Sequence, residues 1–416
     1  MNPARTITIS SNPLSAKPQP IRRDNWVSVV SHLDPKYGGL SAAVPALGAA
    51  VHGAGEFSVS LAGFCVNGEY SAPAASTPVK THYMPFGYVN WLRSQSSRSE
   101  LQNLIKRSTG VHIHGLWEQS TLVSARLARS YNKPYLMSAH GMLEPWALKN
   151  KRVRKAVYAA LVERANLRRA NCLHALTRAE AADYRAFGLR NPIAVIPNGV
   201  EIPLNVSKEA FLKQFPRLRG QRLLMFLSRI HFKKGLDMLC RAWASVAPRW
   251  PDSHLVLAGP DFENTQSRVE SLIEHLGIKN RVTLTGMLKR DLKWSALKAS
   301  ECFVLPSYSE GLSVAVLEAM GVGVPVLITK QCNLPEVESS GCGWVIEPRA
   351  EELAVSLENV LSGSAASLGA MGANGQRLVA ERYSWPVVGE QMSALYSWLQ
   401  GGPYPATVEV DSGVSL

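Results

Sequence analysis

Residues 307–330 read SYSEGLSVAVLEAMGVGVPVLITK. Two carboxylates, Glu310 and Glu318, stand eight positions apart, the first in a glycine-bearing polar stretch and the second in an apolar run of helical character. The segment VPVLI that follows has the hydrophobicity of a buried strand. Loop, helix and strand in that order make one unit of a parallel α/β sheet. The backbone amides of Leu312 to Val314 fall at the expected helix N-terminus, where unpaired N–H donors and the dipole attract phosphate. Amides for a diphosphate and carboxylates for sugar and ribose hydroxyls are what a sugar nucleotide requires. A buried helix with a solvated Glu310 is the other reading of this segment alone.

The surrounding chain carries the same rhythm. Expected strands in the first half are 26–31, 110–114, 135–139, 172–175 and 194–196, with helices over 41–52, 120–131, 153–168 and 178–187. The second half alternates strands at 222–227, 254–258, 282–285, 302–305 and 325–328 with helices at 235–247, 265–276 and 314–319. The fold class is therefore α/β, with two doubly wound Rossmann-like domains facing across a cleft. Between the halves lies IPNGVEIP (196–203), whose prolines and Asn-Gly pair are turn and linker chemistry. The expected organisation is a leader over 1–25, a first domain over 26–200, a second over 201–384, a returning helix over 385–400 and a frayed tail over 401–416. Ligands of such sheets bind at the C-terminal strand ends.

At 416 residues, 46% hydrophobic and 19% charged, the chain has the composition of a two-domain globular protein. No apolar run approaches the roughly 18–20 residues that would cross a bilayer, and residues 1–25 lack the hydrophobic centre of a secretory signal. Six scattered cysteines without a CxxC pair fit a reducing, cytoplasmic compartment. The net charge of +13 is concentrated in part in KNKRVRKAVYAALVERANLRR, Lys149–Arg169, where apolar residues recur at helical spacing. Such a helix suits an anionic membrane surface; a solvated cationic face is the alternative. Specific nucleic-acid binding is not expected, because no recognition motif accompanies the charge.

Three further segments carry candidate chemistry. In DPKYGGLS (34–41), Gly38 and Gly39 remove Cβ atoms where a phosphate or sugar must approach the backbone. RLLMFLSRIHFKKGLD (222–237) ends a strand and brings Arg229 and Lys234 towards the cleft, where paired cations can hold a diphosphate and neutralise a departing nucleoside diphosphate. His140, in SAHGMLEPWAL, stands at a strand end, where it can bond a substrate hydroxyl or leaving-group oxygen. His112 and His114 have a spacing compatible with metal, but no third ligand is evident and packing is the preferred reading. GxGxxG, P-loop, HExxH, GxSxG and DxD patterns are absent from the sequence.

Together these residues resemble a retaining glycosyltransferase of the GT-B fold, in the family 4 group (glycosyl transferases group 1) that includes bacterial polysaccharide and lipopolysaccharide sugar transferases. The resemblance covers roughly residues 26–400 and rests most specifically on Glu310 and Glu318 as an E-x7-E motif. SRIHFKKG, the glycine pair, His140 and VIPNGV support it. It implies Glu318 on the ribose hydroxyls and Glu310 near the donor sugar. Arg229 and Lys234 would hold the diphosphate, helped by amides at Gly39, Gly311, Leu312 and Ser313, and His140 would lie near the reacting centre. It further implies a UDP- or GDP-sugar donor and no cofactor or metal. The acceptor it implies is a lipid-linked saccharide of exopolysaccharide, capsule or O-antigen assembly, at the inner face of the plasma membrane. Front-face attack is the expected route, with Glu310 as a covalent nucleophile the alternative. Ser313, and the lack of a charged residue shortly after the glycines of GGLSAAV, depart from the commoner pattern and leave the sugar open. A sugar-nucleotide epimerase and a non-catalytic binding protein are the competing functions.

Overall fold

The protein is described here by a computed structural model covering residues 24–33, 39–66, 79–86, 95–145 and 162–410. Its first sheet is built from β1 (Asp24–Val30), β2 (Phe57–Val66), β3 (Lys80–Phe86), β4 (Gly110–His114), β5 (Tyr135–Ser138), β6 (Cys172–Ala175) and β7 (Ile193–Val195). The second comprises β8 (Arg222–Leu227), β9 (Ser253–Ala258), β10 (Val282–Gly286), β11 (Cys302–Leu305), β12 (Val326–Thr329) and β13 (Gly343–Ile346). A short β14 (Val408–Glu409) joins the first sheet beside β7.

The first sheet runs β3-β2-β1-β4-β5-β6-β7-β14 and the second β10-β9-β8-β11-β12-β13. Pairing is parallel throughout, except that β14 is antiparallel to β7. In each sheet the winding direction reverses, between β1 and β4 and between β8 and β11, which opens a crevice at the C-terminal strand ends. Central strands such as GVHIH and CFVL are buried along their whole length. They read as continuous runs because helices cover both faces of a parallel sheet.

Strands β2 and β3 and the helix Gln95–Arg107 were not expected from the sequence, nor were β13 and the helices Glu209–Gln214, Arg290–Lys298, Ala350–Ser362 and Ala365–Leu378. The polar sequence KTHYMPF of β3 suits an edge strand, which has a neighbour on only one side.

The chain passes between the sheets beside its own returning segment. Val200 N–H donates to Tyr383 O at 2.7 Å, and Val200 bridges Ser384 in parallel. The helix Trp385–Leu399 then lies on the first unit, where the Tyr396 ring stacks on Trp26 at 3.9 Å between centroids. Gly389 allows this approach, since a Cβ there would fall 2.4 Å from Ala50 O in the helix Gly39–Gly53. The frayed tail expected over 401–416 is corrected for 401–410. Val408 and Glu409 pair with Ala194 and Ile193, Tyr404 Oη donates to Val408 O at 3.1 Å, and Arg178 pairs with Glu409 at 2.9 Å. The exposed edge of β7 supplies the reason, because its open ladder favours an added strand. Residues 411–416 and 1–23 lie outside the described residues, and β1 already begins at Asp24.

No helix among the described residues is long and apolar enough to cross a membrane. Of the basic stretch Lys149–Arg169, residues 149–161 lie outside the described residues; its end forms the helix Arg164–Arg168.

Candidate active site

The segment SEGLSVAVLE forms the turn after β11 and the helix Val314–Gly321. Glu310 is fixed in this turn. Its N–H donates to Gln331 O at 3.0 Å, and Asn333 Nδ2 donates to its carbonyl at 2.6 Å. Its carboxylate accepts from Lys234 Nζ at 2.5 Å and from Ser307 Oγ at 2.6 Å. The side chains of Lys234 and Glu310 are each only 11% exposed, so the pair is largely withdrawn from water. Lys234 is brought there by a one-turn 3-10 helix, Phe232–Lys234, that follows β8. Gly235 closes that turn at φ 69°, and any Cβ would collide with Pro306 O at 1.9 Å. Only glycine satisfies both requirements.

Glu318 rides the helix and accepts from Lys293 Nζ at 2.6 Å. Burial raises its pKa, while the charge and hydrogen bond of Lys293 oppose the rise. Lys293, on the helix Arg290–Lys298, also lies over the Trp294 ring at 4.2 Å. Both acids of the motif therefore carry a lysine partner, one from the turn after β8 and one from the helix after β10. Ser313 precedes the helix in extended conformation without a side-chain cap, so the first helical amides are not satisfied from that residue. Gly311 and Leu312 are half-buried beside it.

Arg229 follows β8, and its guanidinium lies over the Phe262 ring at 4.7 Å. The Arg229 turn is braced by Ile230, which donates to Pro260 O at 2.8 Å and accepts from Phe262 N–H at 3.1 Å. Phe232, Phe262 and Met287, beyond the ends of β8, β9 and β10, remain exposed and form an apolar rim that the sequence reading did not assign.

On the first sheet, His140 sits one residue beyond the β5 neighbour Ala139 in left-handed conformation, φ 53°, followed by Gly141 at φ 74°. Its Nε2 lies 3.0 Å from His114 Nδ1. His112 contacts Tyr396 Oη at 2.9 Å and Ser138 Oγ at 2.7 Å, and Ser138 Oγ contacts His174 Nδ1 at 2.7 Å. His174 Nε2 donates to Ile196 O at 2.7 Å. Burial, then the neighbouring His174, lowers the His140 pKa to about 3. Burial lowers His174 to about 4 against the opposing bond to Ile196, and burial with mutual repulsion holds His112 and His114 well below the usual histidine range. Neutral imidazoles follow at neutral pH, so His140 offers a hydrogen bond and not a positive charge. His112 and His114 are thus engaged within a packed network. Among the described residues no three histidine, cysteine or carboxylate side chains converge as metal ligands.

The two sheets meet across this site. Ser309 Oγ donates to Glu144 Oε2 at 2.6 Å, Lys233 Nζ stands 3.6 Å from the same oxygen, and a Cβ on Gly141 would lie 3.9 Å from Gly311 Cα. The turn carrying His140 therefore faces the turn carrying Glu310. Gly39 opens the helix Gly39–Gly53 with no atom within 4 Å of its Cβ position, and Gly38 lies outside the described residues. Lys293, Ser307, Asn333 and Glu144 had not been singled out. Their partners stand 25, 3, 23 and 165 positions away, and only Ser307 lies near enough in sequence to suggest its partner.

Residues 38–199 match the family described as Glycosyl transferase 4-like domain, and residues 207–378 match Glycosyl transferases group 1. An uncharacterized glycosyltransferase of Methanocaldococcus jannaschii is 28% identical over 214 residues, 49% of this chain and 53% of its own. A GDP-mannose-dependent monoacylated alpha-(1-6)-phosphatidylinositol monomannoside mannosyltransferase of Corynebacterium glutamicum is 27% identical over 222 residues, 50% of this chain and 57% of its own. The chain spans about half the length of these curated relatives. Among solved structures, Anabaena HepE in complex with UDP-glucose aligns with a TM-score of 0.71 at 18% identity, over 90% of this chain and 99% of that one. That likeness establishes the fold, two Rossmann-like domains facing across a cleft in the GT-B arrangement.

Proposed function

We propose that this chain, which joins a glycosyl transferase 4-like domain to a glycosyl transferases group 1 domain, moves a sugar from a nucleotide-sugar donor to a saccharide acceptor with retention of configuration. The observation that carries the reading is the pair of lysine-held carboxylates, Lys234–Glu310 and Lys293–Glu318, opposite the His140 turn. A UDP- or GDP-sugar is favoured as donor. HepE is solved with UDP-glucose, and the Corynebacterium relative is GDP-mannose-dependent.

In this reading Glu318 holds the ribose hydroxyls and Glu310 a donor-sugar hydroxyl. Arg229 and Lys234 meet the diphosphate, joined by amides at Gly39, Gly311, Leu312 and Ser313. The exposed Phe262 and Met287 offer a flat apolar surface to the base. The acceptor oxygen attacks the anomeric carbon on the face that the phosphate leaves. The C–O bond to phosphate breaks, the new glycosidic bond forms, and the acceptor proton passes to the departing phosphate oxygen. His140, uncharged, orients a hydroxyl near that centre. The cations take up charge developing on the nucleoside diphosphate, so the reaction requires no metal. Glu310 as a covalent nucleophile is the less favoured route, because Lys234 and Ser307 both hold its Oε1 and draw electron density from the carboxylate.

The acceptor is proposed to be lipid-linked, in surface-polysaccharide assembly, with the enzyme peripheral at the cytoplasmic face of the membrane through Lys149–Arg169. The test is incubation with UDP- and GDP-sugars and a lipid-linked saccharide, in the presence of EDTA. Transfer with the donor's anomeric configuration preserved in the product, read by NMR, is expected. An inverted linkage, or release of an epimerised nucleotide sugar, would overturn the reading.

A further inference from the structure

The turn that presents His140 is held from beneath by one buried carboxylate. Glu180, on the helix Arg178–Ala186, is only 3% exposed. Its Oε1 accepts from Gly141 N–H and its Oε2 from Leu176 N–H, both at 2.7 Å. One side chain thus ties the segment beyond β5 to the segment beyond β6. Its own N–H is taken by Thr177 Oγ1 at 3.2 Å, which fixes the start of the helix that carries it. One turn further along, Tyr184 Oη accepts from Ala139 N–H at 2.7 Å and donates to His174 O at 2.9 Å. The residues on both sides of His140 are therefore fixed by this one helix, while the imidazole meets His114.

His140 and Gly141 are successive left-handed residues, an uncommon pair for which the backbone needs support, and the acceptor at Gly141 N–H is part of that support. We infer that Glu180 is a positioning residue for the transfer reaction, setting the backbone turn that aims His140 into the cleft without touching the substrate itself. This inference rests on the transferase reading for its kinetic consequence and on geometry alone for its structural one.

The ionised form suits the site best. Both oxygens accept from N–H donors, so an amide must turn one donor towards another, and a protonated carboxyl keeps only the weaker acceptor capacity of its hydroxyl oxygen. Glu144 and Asp183 face the same carboxylate, and burial with their charge raises its pKa to about 7. Among the described residues Tyr184, on the same helix, also feels its charge, His140 and His174 stand on the segments it ties, and Lys233 lies beyond Glu144.

Glu180→Gln is the test, because it keeps shape and volume and removes one acceptor. Hydrogen exchange at the Gly141 amide should quicken at least about tenfold, with the far domain's amides unchanged. With whichever UDP- or GDP-sugar the unmodified protein turns over, kcat should fall about 10- to 100-fold while the donor KM stays within about twofold. The parent's kcat is expected to fall as pH drops through about 7 and Glu180 takes up a proton, and that fall should flatten in the variant. Unchanged Gly141 exchange would overturn the inference whatever the activity, as would an unchanged kcat beside a crippled His140→Ala. A parent protein that turns over no nucleotide sugar would count against the transferase reading instead, and the exchange measurement would still decide the role of Glu180.

Discussion

Replacing Lys234 by Met separates what the Lys234–Glu310 pair does for folding from what it does for chemistry. Both side chains are about nine-tenths withdrawn from water, and their charged atoms stand 2.5 Å apart. Removing one partner of such a pair leaves an uncompensated buried charge, typically at about 3–5 kcal/mol. Here Ser307 Oγ still donates to Glu310 Oε1, so about 2–4 kcal/mol is expected. For a domain of this size that is a fall of roughly 4–16 °C in the thermal midpoint. The double variant Lys234→Met with Glu310→Gln removes both charges and should recover most of the lost midpoint. Activity should behave differently. Loss of a cation facing the departing diphosphate raises the barrier by about 2–4 kcal/mol, a fall of roughly 30- to 1,000-fold in kcat, and the double variant should recover none of it. The assay is scanning calorimetry beside nucleoside-diphosphate release for the two variants and the parent. Activity returning together with stability in the double variant would refute the reasoning, since it would make the pair a structural brace only.

Three further outcomes are expected. His174 has its pKa lowered to about 4, so the unfolded chain binds the extra proton first as pH falls below about 6.5; stability should drop between pH 6.5 and 4, and His174→Gln should make that drop shallower by up to about 1.4 kcal/mol per pH unit in urea titrations. Gly235→Ala must force a Cβ against Pro306 O in a left-handed turn, and should cost about 2 kcal/mol or more together with weaker nucleotide binding, measured by calorimetry. Charge reversals within Lys149–Arg169 should weaken sedimentation with anionic vesicles and leave soluble-donor binding intact; unaltered vesicle binding would remove the membrane proposal.

The fold was legible where burial on both faces wrote a compact apolar run, as in RLLMFL and CFVL. It was illegible at the polar edge strand KTHYMPF, and at the tail, whose Val408 and Glu409 become a strand only because β7 leaves an open edge. The acids of the site could be found because Glu310 and Glu318 lie in one segment beside a helix start. Their lysines could be named only in part. Lys234 belongs to a basic turn after a strand, whereas Lys293 meets Glu318 from a separate helix with no local signal. Glu144 and Glu180 were equally hidden, since each acts on a turn 39 or more positions away. The histidines of β4 showed their shared face by spacing, but the network through Ser138 and Tyr396 needed the helix Trp385–Leu399 to return to the first sheet.

The central claim is a nucleoside-diphosphate site between the two lysine-held carboxylates, and isothermal titration with UDP, GDP and ADP tests it most directly. The account predicts saturable binding of UDP or GDP, weakened at least tenfold in Arg229→Ala and again in Glu318→Gln. Binding of none of the three, or binding indifferent to both substitutions, would contradict it.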